Sequence, residues 1–234
     1  RLELHHPAEI PPGSIGMWDV TPWRLRGTRL SARACDDLAG CAAVLCALDR
    51  IRRRKSPANV TALLTRAEEK GFVGALAACE AGSVPADALV VAIETSREQP
   101  GARLGEGVVI RVGDRSSIFH PPLTAAVTRA AEALAKRDRG FHHLRRLMPG
   151  GTCESTVFCA WGYAATGLCL PLGAYHNMGG DGRIRPERID TGDFDSLVKL
   201  LAALPAEGRA PEEAAADLRA RLEQHFRRRR HLLD

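Results

Sequence analysis

The chain has 234 residues, of which 45% are hydrophobic and 5% aromatic, and its formal net charge at pH 7 is +5. This composition excludes a disordered chain and allows one sizeable domain with a small appendage and an aliphatic core. Much of the positive charge lies in two basic runs, 52–55 and 227–230. No aromatic residues are interleaved with these runs, so they indicate solvated helix ends, and we expect no nucleic-acid partner.

The seven cysteines lack the paired spacing of a structural zinc site and mostly lie in apolar runs. Such cysteines are typical of small buried residues in a reducing compartment, so we expect a cytoplasmic protein. The sequence shows neither a signal-peptide pattern nor an apolar run long enough to cross a bilayer, and we expect no membrane partner. Because the chain begins with Arg1 rather than Met, we also expect a fragment or a processed piece.

Proline and glycine punctuate residues 1–28, with short apolar pieces between them. This pattern predicts short strands and turns, which we interpret as the remnant of a small β module. Apolar residues then recur at helical spacing from Leu38 to about Arg53, which predicts a helix that Asp36 or Asp37 could cap.

Farther along the chain, short apolar runs alternate with stretches of helical periodicity. The runs predict strands at 60–64, 88–93, 108–112 and 166–170, and the periodic stretches predict helices at 71–81, 123–135, 155–161 and 194–204. We also expect a strand near 144–147. This alternation argues for a layered α/β domain. After a break at 205–211, apolar residues at i, i+4 and i+8 of a charged segment predict an amphipathic terminal helix.

Four short stretches carry an acid or a histidine at predicted strand or helix ends, namely Asp36-Asp37, Glu68-Glu69, Glu94 and His176. Taken singly, the first is a helix cap, the second an exposed turn and the last a loop histidine. Glu94 closes a buried strand, where an acid is costly unless it is paired. Because ligands and metals collect at the strand ends of an open α/β sheet, the four stretches together predict a hydrolytic site that uses metal-activated water.

Amide hydrolysis needs a nucleophile stronger than water at neutral pH. Two divalent cations about 3.5–4 Å apart can activate a shared water and stabilise the oxyanion that forms. The protein must supply a bridging carboxylate, further ligands for each cation and a carboxylate that accepts a proton. Adjacent acids such as Glu68 and Glu69 diverge at a strand end, so one can bind metal while the other faces the water, and His176 offers a nitrogen ligand that zinc accepts.

Six motifs follow one another along the chain. They are Asp-Asp-Leu-Ala-Gly at 36–40, Glu-Glu-Lys-Gly-Phe-Val-Gly-Ala at 68–75, Glu-Thr at 94–95, Gly-Val-Val-Ile-Arg-Val-Gly at 107–113, Gly-Gly-Thr at 150–152 and a Pro-to-His turn at 171–176. In this order the chain resembles the cocatalytic di-zinc aminopeptidases of the tetrahedral-aminopeptidase or glutamyl aminopeptidase type, within the wider group of zinc exopeptidases and deacylases. The resemblance covers roughly residues 10–205, and the Glu-Glu stretch is its most specific part.

The resemblance implies two divalent metal ions bridged by Asp36, zinc by preference, with cobalt or manganese as alternatives. It implies that Glu69 and His176 bind one metal and that Glu94 binds the other. Glu68 would then be the general base and acid. The family has a further histidine ligand near its N-terminus for the metal of Glu94, and that region is absent here; His5 and His6 lie in the wrong part of the pattern to replace it.

Other departures affect specificity. Glu94 stands where these aminopeptidases usually have Asp, whereas related carboxypeptidases and deacylases often have Glu. Leu38 replaces the usual Arg, and Cys153-Glu154 replaces Asp-Ala after the Gly-Gly-Thr turn. We expect Asp37, Thr152 and Glu154 to contact substrate or to support the ligands, although Glu154 is equally well interpreted as an acid at a helix start.

We therefore expect a metal-dependent hydrolase of amide bonds, an aminopeptidase or a related exopeptidase or deacylase, acting on a peptide or N-acyl amino acid. The alternative is a non-catalytic relative that acts in assembly or ligand binding. The expected fold is a three-layer α/β/α domain with a mixed, mostly parallel sheet. We divide the chain into the β-module remnant at 1–28, the catalytic domain at 29–206 and the terminal helix at 207–234. The resemblance also implies a homo-oligomer.

Overall fold

The computed structural model describes residues 9–207 and 211–233 of the chain. The strands are β1 (Trp23–Arg26), β2 (Arg29–Ala32), β3 (Leu89–Arg97), β4 (Val108–Gly113), β5 (His143–Leu147), β6 (Ala164–Leu172) and β7 (Glu187–Asp190). The helices are α1 (Leu38–Arg53), α2 (Val73–Glu80), α3 (Pro121–Arg137), α4 (Glu154–Ala160), α5 (Thr191–Glu207) and α6 (Pro211–Arg229), with short 3-10 helices at Glu68–Lys70, Tyr175–Asn177 and Arg230–Leu233.

The main sheet has four strands in the order β3–β6–β4–β5. It is mixed, because β3 pairs in parallel with β6 and β4 in parallel with β5, while β4 and β6 are antiparallel. β6 is buried along almost its whole length, as expected for a central strand that reads as a continuous apolar run. The mixed α/β sheet predicted from the sequence is therefore confirmed.

Helices cover both faces of this sheet. On one face, Leu168 and Leu170 of β6 lie in the largest core together with apolar residues of α1, α3 and α5. On the other face, Ala165 packs with Val157 of α4 and Ala75 of α2. Because successive side chains of a strand point to opposite faces, one strand can serve both cores, and the result is the expected three-layer arrangement.

A second sheet has three antiparallel strands in the order β1–β2–β7. β1 lies in the predicted β-module remnant, and it pairs with β2, which lies in the predicted catalytic domain. The division at residue 28 stays a prediction. The sequence did not predict β7, which is only four residues long and contains three charged residues and a single apolar one.

The predicted strand at 60–64 is wrong. The segment 59–66 contains no helix or strand, and Val60, Leu63 and Leu64 are 40%, 47% and 56% exposed. A strand needs a neighbour for its backbone hydrogen bonds, and within the described residues no strand pairs with this segment. An apolar run alone therefore did not suffice to make a strand.

The C-terminal region matches the predicted amphipathic helix. α5 continues through Pro205, so the break begins later than predicted, and α6 then packs beside α3. Leu218, Leu222 and Phe226 of α6 remain half exposed.

Across residues 9–207 and 211–233, none of the helices combines the length and apolar character that crossing a membrane requires.

Candidate active site

A cleft of about 380 Å³ opens where the segments after β2 and β3 meet those after β6. β3 and β6 are parallel, so their carboxyl ends lie at the same edge of the sheet. Of the residues singled out from the sequence, Asp36, Glu68, Glu69, Glu94 and Thr152 line this cleft. Tyr175, the neighbour of His176 in the chain, lines it as well.

Three of the predicted metal ligands converge at this cleft. Asp36, Glu69 and His176 each offer one ligand atom, and these atoms all lie within 4.8 Å of one another. His176 Nε2 is 3.6 Å from Asp36 Oδ2 and 3.5 Å from Glu69 Oε1. One imidazole nitrogen and two carboxylate oxygens at such separations suit a divalent cation bound at about 2.0–2.2 Å. The residues present therefore fit a metal ion.

Asp36 is held through both its backbone and its side chain. The hydroxyl of Thr95, a residue only 1% exposed, donates a hydrogen bond of 2.7 Å to Asp36 Oδ1. The backbone N–H groups of Cys35 and Asp36 donate to Glu187 Oε2. Burial raises the pKa of Asp36 to about 6, although the Thr95 hydrogen bond lowers it. Asp36 Oδ2 is the oxygen that faces His176.

Glu68 and Glu69 lie on the short 3-10 helix at the rim of the cleft. Backbone with positive φ flanks it, at Ala67 (58°), Gly71 (93°) and Phe72 (62°); the glycine supplies one of these conformations at no steric cost. Burial raises the pKa of Glu68 to about 7, and the neighbouring Glu69 raises it further. A carboxyl group that titrates near neutral pH suits a residue that accepts and returns a proton.

Glu94 lines the same cleft but is not part of the three-residue group. The guanidinium of Arg111 lies 4.0 Å from Glu94 Oε2, and the backbone N–H of Thr95 donates to Glu94 Oε1. Burial raises the pKa of Glu94 well above its ordinary value, and Asp36 and Asp37 raise it further, whereas Arg111 lowers it. In this arrangement Arg111 is the cation nearest to Glu94 among the ion pairs of the described residues.

The loop that carries His176 has an unusual backbone. Ala174, His176 and Asn177 all have positive φ, at 54°, 52° and 58°. The ring of Tyr175 stacks on that of His176, with the centroids 3.8 Å apart. The side-chain amide of Asn177 donates to the backbone carbonyl of Arg33 at 2.9 Å and to that of Arg185 at 3.1 Å. These contacts hold the imidazole near the end of β2, where Asp36 follows.

The remaining predicted residues divide between the cleft and its surroundings. Thr152 lines the cleft, and its hydroxyl is in short contact with that of Ser116. Asp37 caps α1 by accepting from the N–H of Gly40, and burial raises its pKa to about 8. Glu154 begins α4, and its Oε1 has no hydrogen-bond partner. Neither Asp37 nor Glu154 is among the described residues that line the cleft.

His5 and His6 lie outside the described residues.

Several residues that contact the candidate site received no role from the sequence alone. Arg111 is 3% exposed and lines the cleft, and a lone arginine within the apolar β4 was the signal that could have found it. Thr95 stood in the Glu-Thr motif, but the sequence did not show its contact with Asp36. Glu187 gave no signal, because its contacts with the Asp36 loop join segments that are distant in the sequence.

Comparisons with known proteins identify the family of the chain and its fold. The family described as M42 glutamyl aminopeptidase matches residues 5–177. A curated protein of Acetivibrio thermocellus, provisionally named an aminopeptidase, is 28% identical over 184 residues, covering 76% of this chain and 51% of that protein. Among solved structures, the TET1 peptidase of Pyrococcus horikoshii is 25% identical with a TM-score of 0.65, over 78% of this chain and 52% of that one.

The aminopeptidase APDkam598 of the archaeon Desulfurococcus kamchatkensis shares the fold with a TM-score of 0.63 at 23% identity, over 83% of this chain and 53% of that one. The chain thus spans about half the length of the relatives it matches.

Proposed function

Because the chain belongs to the M42 glutamyl aminopeptidase family, we propose that it is, or is part of, a metal-dependent aminopeptidase or a related exopeptidase or deacylase. One observation carries the proposal. The ligand atoms of Asp36, Glu69 and His176 converge within 4.8 Å, and Glu68 lines the same cleft as the two acids. These residues come from three separate segments of the chain, and local structure gives no reason for the segments to meet.

In this proposal Asp36, Glu69 and His176 would hold one divalent cation, and Asp36 and Glu94 would hold a second. The donor set of one imidazole and several carboxylates favours zinc, and cobalt or manganese would also be accepted. When bound, the cations supply Lewis acidity, which polarises the amide carbonyl and makes water a better nucleophile at neutral pH. The ligand residues orient the cations and keep them at the strand ends.

Glu68 acts as the proton carrier. Its carboxylate accepts a proton from the attacking water and returns it to the amine that leaves, so that the amide C–N bond breaks without forming a free amide anion. The raised pKa of Glu68, about 7, supports both halves of this role, because the group then exchanges protons readily at neutral pH. The half-buried position of Glu68 keeps it within the cleft.

An exposed arginine supports a preference for an acidic substrate. Arg97 lines the cleft, with its guanidinium 5.1 Å from the centre of the Tyr175 ring. Guanidinium groups bind carboxylates well. We propose that Arg97 meets the side chain of an N-terminal glutamate or aspartate, in keeping with the description of the family as glutamyl aminopeptidases.

The proposal is tested by metal analysis together with a panel of aminoacyl and N-acyl substrates. We expect zinc- or cobalt-dependent release of the N-terminal residue that EDTA abolishes. Glu68→Gln should keep the bound metal but lose about 10²- to 10⁴-fold in turnover, because it removes the proton acceptor and leaves the ligands. Unchanged turnover in this variant would remove Glu68 from the mechanism.

The alternative of a non-catalytic relative predicts a different result. A chain that binds metal in full stoichiometry and hydrolyses none of the substrates would favour an assembly or ligand-binding role. No observation on the described residues favours that alternative over hydrolysis, since Glu68 lines the cleft at which Asp36, Glu69 and His176 converge.

We propose that the chain associates with further copies of itself. The TET1 peptidase of Pyrococcus horikoshii assembles into a tetrahedron or a large octahedral shell. In this chain Trp18, Trp23 and Leu25, in and near β1, are more than half exposed, as is typical of interaction surfaces when such residues cluster. Light scattering should give a mass that is a multiple of 25.3 kDa, and a monomer at micromolar concentration would contradict the proposal.

A further inference from the structure

Glu187 is a buried acid that lies outside all the motifs of the sequence and yet contacts the Asp36 loop. It is 4% exposed. Its Oε2 accepts hydrogen bonds from the backbone N–H of Cys35 at 2.6 Å and from that of Asp36 at 3.0 Å. Both bonds end on one oxygen, so a single side-chain atom holds two consecutive peptide groups next to the candidate metal group.

The strand that carries Glu187 also joins the two loops that supply metal ligands. β7 pairs with β2, and Glu187 lies opposite Ala32, four residues before Asp36. On its other side, the neighbouring Arg188 exchanges two backbone hydrogen bonds of 2.9 Å with Gly173, three residues before His176. β7 therefore fixes the ends of both loops, and Glu187 extends this hold to the peptide of Asp36 itself.

We propose that Glu187 is a positioning residue for the candidate metal group, an inference that rests on the proposed function. By holding the peptides of Cys35 and Asp36, it keeps Asp36 Oδ2 near His176 Nε2 before any cation binds. Without it the buried N–H of Cys35 and the partly buried N–H of Asp36 lose their acceptor, and the loop must move to find another. A metal site whose ligands are fixed in advance binds more tightly than one that must be ordered on binding.

The contribution of Glu187 is one of geometry more than of charge. Both hydrogen bonds reach the same oxygen, so the amide oxygen of glutamine can take its place. Aspartate keeps the charge but is one methylene shorter, so it cannot reach both N–H groups without moving the backbone. Glutamine should therefore preserve the site and aspartate should not, which is the opposite of what a purely electrostatic role predicts.

Asp193 offers a matched control. It is also a buried acid, 2% exposed, and it also accepts two backbone N–H groups, those of Gly105 and Gly107, both at 2.7 Å. None of its hydrogen bonds or ion pairs among the described residues reaches Asp36, Glu69 or His176. Asp193→Ala should therefore lower stability in the same way as Glu187→Ala without changing the metal group.

The experiment measures zinc affinity of the EDTA-treated chain by competition with a chromophoric chelator, well below the melting temperature of each variant. We expect Glu187→Ala and Glu187→Asp to weaken the affinity by roughly 10- to 100-fold, the usual effect of removing a residue that orients metal ligands. Glu187→Gln and Asp193→Ala should stay within about threefold of the wild type.

The outcomes separate this inference from the function on which it rests. A wild-type chain that binds no zinc overturns both. A wild-type chain that binds zinc, with Glu187→Ala within threefold of it, overturns the positioning role alone, and so does a loss in Asp193→Ala as large as that in Glu187→Ala. If Glu187→Ala does not fold, the comparison of Glu187→Asp with Glu187→Gln decides, and equal affinity in these two variants overturns the inference.

Discussion

Carboxyl groups crowd the cleft and the adjoining start of α1, and their raised pKa values show that ionising them there is unfavourable. Burial raises the pKa of Asp36 to about 6, of Asp37 to about 8 and of Glu68 to about 7, and it raises that of Glu94 well above its ordinary value. Neighbouring carboxylates raise each of them further. Such a cluster is unfavourable without a compensating cation, and perturbed groups of this kind gather at functional sites.

His176 gives the sharpest prediction at this scale. His176→Ala removes the nitrogen of the candidate metal group and should weaken zinc binding by more than about 100-fold, which exceeds the loss expected for an orienting residue. Elemental analysis after equilibrium dialysis would measure it. His225→Ala, on the exposed face of α6, is the control for adventitious binding to surface histidines. Full zinc occupancy in His176→Ala would contradict the ligand role.

At the scale of elements, α1 shows how one helix start serves two purposes. Its N-cap, Asp37, accepts from the N–H of Gly40 at 3.1 Å, and the preceding residue is Asp36 of the metal group. The cap fixes where the helix begins, and thereby where Asp36 lies. The sequence predicted this helix from Leu38 to Arg53 with either acid as the cap, and the structure assigns the cap to Asp37.

Replacing the cap tests this assignment. Asp37→Asn keeps a good N-cap and removes a carboxyl that is costly to ionise, so the metal-free chain should be as stable as the wild type or more stable at pH 7. Asp37→Ala loses the cap and should lower the free energy of unfolding by about 1 kcal/mol. Urea midpoints in EDTA would measure both, and equal destabilisation by Asn and Ala would exclude the capping role.

Strands differ in how well the sequence predicts them. β3, β4 and β6 were predicted because each contains an apolar run, whereas β5 was predicted although two arginines separate its leucines. The run at 60–64 has the same appearance, but it lacks a partner strand within the described residues, and β7 forms without such a run because β2 and Gly173 pair with it. Pairing between distant segments decided both cases, and single-strand patterns carry no information about it.

For the whole molecule, the crowded acids predict a dependence of stability on pH. Asp36 and Asp37 have an ordinary pKa of 3.8 and Glu68 one of 4.5, and all three are higher in the folded state. Between about pH 4 and pH 8 the folded chain therefore binds more protons than the unfolded chain at these groups. The stability of the metal-free chain should fall as the pH rises through this window.

Asp114 and His143 affect the pH dependence of stability with the opposite sign, because their pKa values are lowered in the folded state. Hydrogen bonds lower the pKa of Asp114, although burial opposes them, so its contribution is lost only below about pH 4. Burial lowers the pKa of His143, which opposes the trend near pH 6.5 but is one group against three. Calorimetry in EDTA at pH 5 and pH 8 would measure the net effect, and a melting temperature that rises with pH would contradict it.

Zinc binding should restore the stability that the metal-free chain loses as the pH rises. At free zinc 100 times its Kd, binding adds about 2.7 kcal/mol to the stability of the folded chain, or roughly 5–11 °C in melting temperature for a domain of this size. Because cations bind the ionised carboxylates, the stabilisation should be larger at pH 8 than at pH 5. Magnesium, which prefers an octahedral oxygen set, is the control cation and should stabilise less.

The sequence by itself determined the α/β class, most helices and strands, and the identities of Asp36, Glu68, Glu69, Glu94 and His176 as candidates. Periodicity and apolar runs are local properties, and unusual acids at strand ends are visible without coordinates. Only the tertiary structure decided that Asp36, Glu69 and His176 form one group, that Glu94 lies beside Arg111, and that Glu187 holds the Asp36 peptide. Those contacts join residues far apart in the chain, and their geometry depends on how strands pair and loops close in space.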